Sequence, residues 1–78
     1  MDIRGGITMK TLYQLDIKLP EKGFTLYRIA IEKLLKPIED PWETRNSGFT
    51  LEISILTTPK TIDTLRYEIR RETGVEVE

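Results

Sequence analysis

The feature that most restricts the fold is an alternation running from Ile7 to Leu19. Ile7, Met9, Thr11, Tyr13, Leu15, Ile17 and Leu19 share one parity; Lys10, Gln14, Asp16 and Lys18 share the other, with Leu12 as the exception. A period of two belongs to a strand with one face in a core and one toward water. The pattern returns at Phe49, Leu51, Ile53 and Ile55, interleaved with Thr50, Glu52 and Ser54. Half-buried strands of this kind build antiparallel or mixed sheets, because strands covered on both faces read as continuous apolar runs.

Between these segments lies a helical pattern. Pro20-Glu21-Lys22-Gly23 closes the first strand with turn residues, and a helix is expected from Phe24 or Thr25 to Lys36. Tyr27, Ala30, Ile31, Leu34 and Ile38 fall at three- and four-residue steps, with Leu26, Ile29 and Leu35 widening the stripe. Arg28 with Glu32 and Glu32 with Lys36 are spaced for surface ion pairs, and Pro37 ends the helix. After the connector Ile38-Glu39-Asp40-Pro41, Trp42 to Arg45 reads as a short strand. Asn46-Ser47-Gly48 reads as a three-residue turn, and a third strand runs from Phe49 to Leu56.

Thr58 with Pro59 behind it is a strong helix start. The second helix carries Ile62, Leu65 and Ile69 inward, and Gly74 stands where a C-terminal cap glycine belongs. Val75 and Val77 then alternate with Glu76 and Glu78, which predicts a last short strand. The expected order is β-α-β-β-α-β, the ferredoxin-like split βαβ plan: α+β, four antiparallel strands with two helices on one face. Residues 1–6 read as a loose arm and 7–78 as the single domain. A pattern residue at Met9 favours Met1 over Met9 as the biological start.

At 78 residues the chain has room for one core. A domain of that size buries only about 60% of the surface its unfolded chain exposes. With neither Cys nor His, disulfides, thiolate nucleophiles and the commonest zinc ligands are all absent. A homo-oligomer is the remaining common support for so small a domain. Catalysis has few candidates, since Ser47 and Ser54 read as surface serines, and no cofactor is indicated. Glu39, Asp40 and Glu43 form an acidic cluster without cation-site spacing, so no metal is expected. The longest apolar run is far short of a membrane span and no leader pattern is present, which makes the cytoplasm the default compartment. One Asn and one Gln among many charged residues give a thermophile-like composition.

Basic and acidic residues nearly balance, 12 against 13 for a net charge of −1, which argues against nucleic acid as partner. The competing nucleic-acid reading uses Lys60, Arg66, Arg70 and Arg71 on the second helix, among which Asp63, Glu68 and Glu72 are interspersed. By parity the open sheet face carries Leu12, Gln14, Asp16, Lys18, Thr50, Glu52, Ser54 and Leu56, with no aromatic to stack a base. Leu12 and Leu56 are its apolar members, and with Trp42 they are the candidate subunit or partner contact. The turn Glu21, Lys22, Gly23 and Phe24 is the candidate effector site, because a glycine before a helix lets N–H groups face an anion.

Ile17 to Leu26, with Glu21, Gly23 and Leu26, resembles the strand–turn–helix signature of ACT-type regulatory domains. Gly48 to Ile53 and Leu65 to Val77 are similar to the closing half of the related NIL domains. The resemblance implies a ferredoxin-like, non-catalytic regulatory module that pairs with a second copy and binds a small effector such as an amino acid. The alternative is an adaptor that docks an unidentified protein without a small ligand.

Overall fold

The computed structural model describes residues 9–77. The expected arm over 1–6, the start of the first strand at Ile7 and Thr8, and Glu78 lie outside the described residues. The elements are β1 (Thr11–Lys18), α1 (Phe24–Leu35), β2 (Trp42–Ser47), β3 (Thr50–Thr57) and α2 (Pro59–Thr73). Among the described residues they form one three-stranded sheet in the order β1-β3-β2, antiparallel throughout, which is an α+β fold.

The four-stranded ferredoxin-like plan is therefore corrected. Val75, Glu76 and Val77 make no ladder. Their bonds are local instead: Val75 N–H donates to Thr73 Oγ1 at 3.1 Å, and Arg70 Nε holds Glu76 Oε2 at 3.3 Å. Val75 and Val77 still pack half-buried on the core while Glu76 is exposed. Alternation records which side faces the core, and a short tail folded back on a helix alternates without pairing.

The central strand sets the core. Leu51, Ile53 and Ile55 of β3 are fully buried beside Leu15 and Ile17 of β1, with Leu19 just beyond. Ile31 and Leu35 of α1 and Ile62, Leu65 and Ile69 of α2 close over the same face. Each such side chain contributes roughly 1.5–3 kcal/mol by leaving water. The stripe on α1 is narrower than its apolar content suggests, since Leu26 is 74% and Ile29 41% exposed. A helix lying on a sheet beside a second helix buries one limited arc, and these two residues fall outside it.

The helix ends follow the local chemistry. Thr58 Oγ1 accepts from Thr61 N–H at 3.3 Å with Pro59 in the first turn of α2, and Gly74 closes α2 at φ +74°. The β2–β3 hairpin differs from expectation: β2 extends through Ser47, and Gly48-Phe49 form a two-residue loop. Gly48 takes φ +63° at the first central position, the geometry that matches strand twist in tight hairpins. Phe49 is thereby released from β3 and sets its ring edge-on to Phe24, with centroids 5.6 Å apart.

Two hydrogen bonds fix which way each strand's backbone faces. Leu19 N–H donates to the Phe49 carbonyl at 2.9 Å, and Leu56 N–H to the Pro41 carbonyl at 3.1 Å. With the registers, the odd-numbered residues of β1 bond to β3, and Glu43, Arg45 and Ser47 of β2 bond to β3. The backbone groups of Trp42, Thr44 and Asn46 point away from the sheet.

Candidate interaction surface

The helix-free face of the sheet is built in cross-strand rows. Leu12 stands opposite Leu56; Gln14 is level with Ser54 and Glu43; Asp16 is level with Glu52 and Arg45. The apolar row is open to solvent, with Leu12 69% and Leu56 40% exposed. Pro41 and Trp42 join these two leucines around a shallow hollow of about 300 Å³. Trp42 belongs by register to the helix-facing side, opposite Ile55, and its half-buried ring also packs against the core. The three residues expected as a contact, Leu12, Trp42 and Leu56, are thus brought together.

Next to this hollow the face turns polar. Arg45 donates from Nε at 3.2 Å and Nη2 at 3.0 Å to the same Glu52 Oε1, beside Gln14, Glu43 and Ser54. Arg45 is 80% exposed, so this pair is a weak tether with the guanidinium free to turn outward.

Asp40 organises the loop leading into β2. Its carboxylate accepts from Lys10 Nζ at 2.7 Å and from the hydroxyl of Thr57, which is fully buried. The Lys10 hydrogen bond, followed by that of Thr57, holds the carboxyl below its ordinary value of 3.8. The unfolded chain therefore takes up a proton before the folded one does. The stabilisation is complete above that ordinary value and is lost as pH falls through the lower folded one. Asp40→Asn is expected to lower stability in urea at about pH 7 and to differ less from the parent at about pH 3. A gap that stays constant between those conditions contradicts the assignment. Asp40 is thus engaged by Lys10 and Thr57, and among the described residues no group of three or more His, Cys, Asp or Glu is placed to hold a metal ion.

The turn Glu21–Phe24 has a different character from a formed pocket. Glu21 and Lys22 are exposed, Gly23 sits at φ +90°, and no side chain caps α1. Gly23 accepts from Tyr27 N–H at 3.0 Å, while Phe24 packs on the core. The hollows at Trp42, beside Arg45 and between the helices are all lined by other residues.

Of the four basic residues of α2, Arg70 and Arg71 meet acids, while Arg66 is exposed beside Tyr67 and Val77. Arg71 Nη2 meets Glu68 at 2.6 Å and Glu72 at 3.4 Å, and Arg70 holds Glu76. Lys60 instead borders a groove of about 250 Å³ between the helices, floored by Leu34, Ile38 and Leu65. Sequence reasoning missed this groove, since it depends on how α1 and α2 cross. Its one signal was Thr61 and Thr64, spaced three apart on α2 next to the apolar stripe.

Among the described residues no helix is long and apolar enough to cross a membrane. No protein-family model matches the chain, and comparisons with curated proteins and with solved structures likewise find no match.

Proposed function

We propose that this chain is a small non-catalytic binding module that works as a homodimer, with its contact at the Trp42 end of the sheet. The observation that carries this reading is the helix-free apolar row, where Leu12 and Leu56 lie exposed beside Pro41 and Trp42. Aromatic residues framed by a polar rim are the usual anchors of protein contacts. A core drawn from so short a chain also gains from a partner.

Light scattering across a dilution series tests it. Twice the chain mass of 9.1 kDa, held over the series, supports the homodimer. A single-chain mass at every concentration overturns it and leaves the hollow as a surface for a different protein, the adaptor reading. The finer, ACT-like reading adds an effector at Glu21, Lys22, Gly23 and Phe24. It draws on the uncapped start of α1. A thermal-shift panel of free amino acids checks it: a reproducible rise in Tm supports an effector, and a flat panel removes it.

A further inference from the structure

On the basis of the homodimer reading, we propose that two copies pair β2 to β2, antiparallel, about a two-fold axis at Thr44. Two three-stranded sheets then become one continuous sheet. The backbone comes first. β2 has a neighbour on one side only among the described residues, and its outward donors and acceptors belong to Trp42, Thr44 and Asn46. Edge strands are normally blunted by bulges, internal proline or inward-pointing charges. β2 pairs with β3 one residue to one from Trp42 to Ser47, with no internal proline, and its charged residues lie on the solvent face.

Parity and charge together then select the register, since axes at Glu43 or Arg45 satisfy parity but set like charges face to face. Outward backbone groups must meet outward groups, so Trp42, Thr44 and Asn46 oppose only one another. Centred on Thr44, the pairing sets Trp42 against the partner subunit's Asn46 and Thr44 against the partner subunit's Thr44. Both Glu43 side chains then face an Arg45 across the axis. That gives two reciprocal opposite-charge pairs on the solvent face, and a threonine pair between them on the other. Both kinds of cross-strand pair are favourable. Shifting the axis to Trp42 stacks Glu43 against the partner subunit's Pro41 and leaves most of the strand unpaired. Shifting it to Asn46 matches Arg45 with Ser47 and leaves Trp42 without a partner. Only the Thr44 register uses the strand fully and matches its charges.

The contact adjoins the Leu12–Leu56 hollow, which Trp42 and Glu43 border from the β2 side. Arg45 reaches its partner by leaving Glu52, an exchange of one exposed carboxylate for another.

Charge reversal tests the register without touching the core, since Glu43 and Arg45 are both exposed. Glu43→Arg alone sets like charges opposite each other at both ends of the axis, and so does Arg45→Glu alone. Each variant is expected to weaken self-association about tenfold or more. An equimolar mixture of the two restores both ion pairs, so the dimer mass returns and emission from Trp42, the sole tryptophan, shifts to shorter wavelength. Circular dichroism on each variant alone confirms that it is folded. If either folded variant still dimerises like the parent, or the mixture stays dissociated, the β2 register is wrong while the homodimer stands. A parent protein that is monomeric throughout overturns both.

Discussion

Ile53→Ala is expected to cost about 3–4 kcal/mol, among the largest single-residue losses available in this fold. Ile53 lies on the central strand, fully buried, with Leu15 opposite on β1 and Thr44 opposite on β2. Removing its outer carbons leaves a void walled by strands on both sides and helices above, where backbone cannot close in. Domains are stable by only about 5–15 kcal/mol, so much of the margin disappears. At the slope usual for this size, Tm falls by roughly 15–25 °C. Leu26→Ala is the matched control: the same number of carbons lost at a position 74% exposed and outside the proposed contact is expected to cost under about 0.5 kcal/mol. Urea denaturation of the pair reads both values directly. An Ile53→Ala cost no greater than the control would mean that β3 is not the centre of the core.

Much of this core was legible in the sequence because period two is a property of one strand. Leu15, Ile17, Leu51, Ile53 and Ile55 could be assigned to the inner face without knowing what covered them, and the structure buries all five. Thr58, Pro59 and Gly74 marked the ends of α2 correctly for a related reason, since capping depends on residues a few positions apart. Features that require a partner in space were less readable. Val75 and Val77 alternate as a strand would, but a strand needs a ladder, and the local bonds to Thr73 and Arg70 win instead. Leu26 and Ile29 match the helical stripe, but where the stripe ends depends on where α2 lies.

The candidate surface divides in the same way. Leu12 stood out as the break in a regular alternation, and Leu56 as an apolar residue of the polar parity; the register then places them opposite each other. Their meeting with Trp42 depends on the β2–β3 register: a turn over Asn46-Ser47-Gly48 pairs Trp42 with Glu52, whereas the loop Gly48-Phe49 pairs it with Ile55, next to Leu56. Thr57 offered no such signal. Its burial and its hydroxyl's bond to Asp40 arise from a contact between distant segments, which no short-range pattern encodes.

Gly23→Val separates fold from site at the turn before α1, and it is expected to destabilise the protein by about 2 kcal/mol. The reason is backbone conformation and not crowding. A Cβ at this position meets only the Tyr27 ring, at 3.5 Å and beyond, which is ordinary contact. The φ of +90°, however, is one that β-branched residues avoid strongly. A Tm loss of roughly 8–16 °C follows at this domain size. Gly23→Asn provides the discriminating comparison, because asparagine tolerates positive φ and is expected to recover much of the loss. Loss of amino-acid binding in Gly23→Val alone therefore does not locate an effector site, since the start of α1 shifts with it. An effector held by the backbone at Glu21–Phe24 has to survive Gly23→Asn, which keeps every N–H of the turn in place. If Gly23→Val melts with the parent, the positive φ is not what holds this turn, and the glycine is there for a ligand or for nothing.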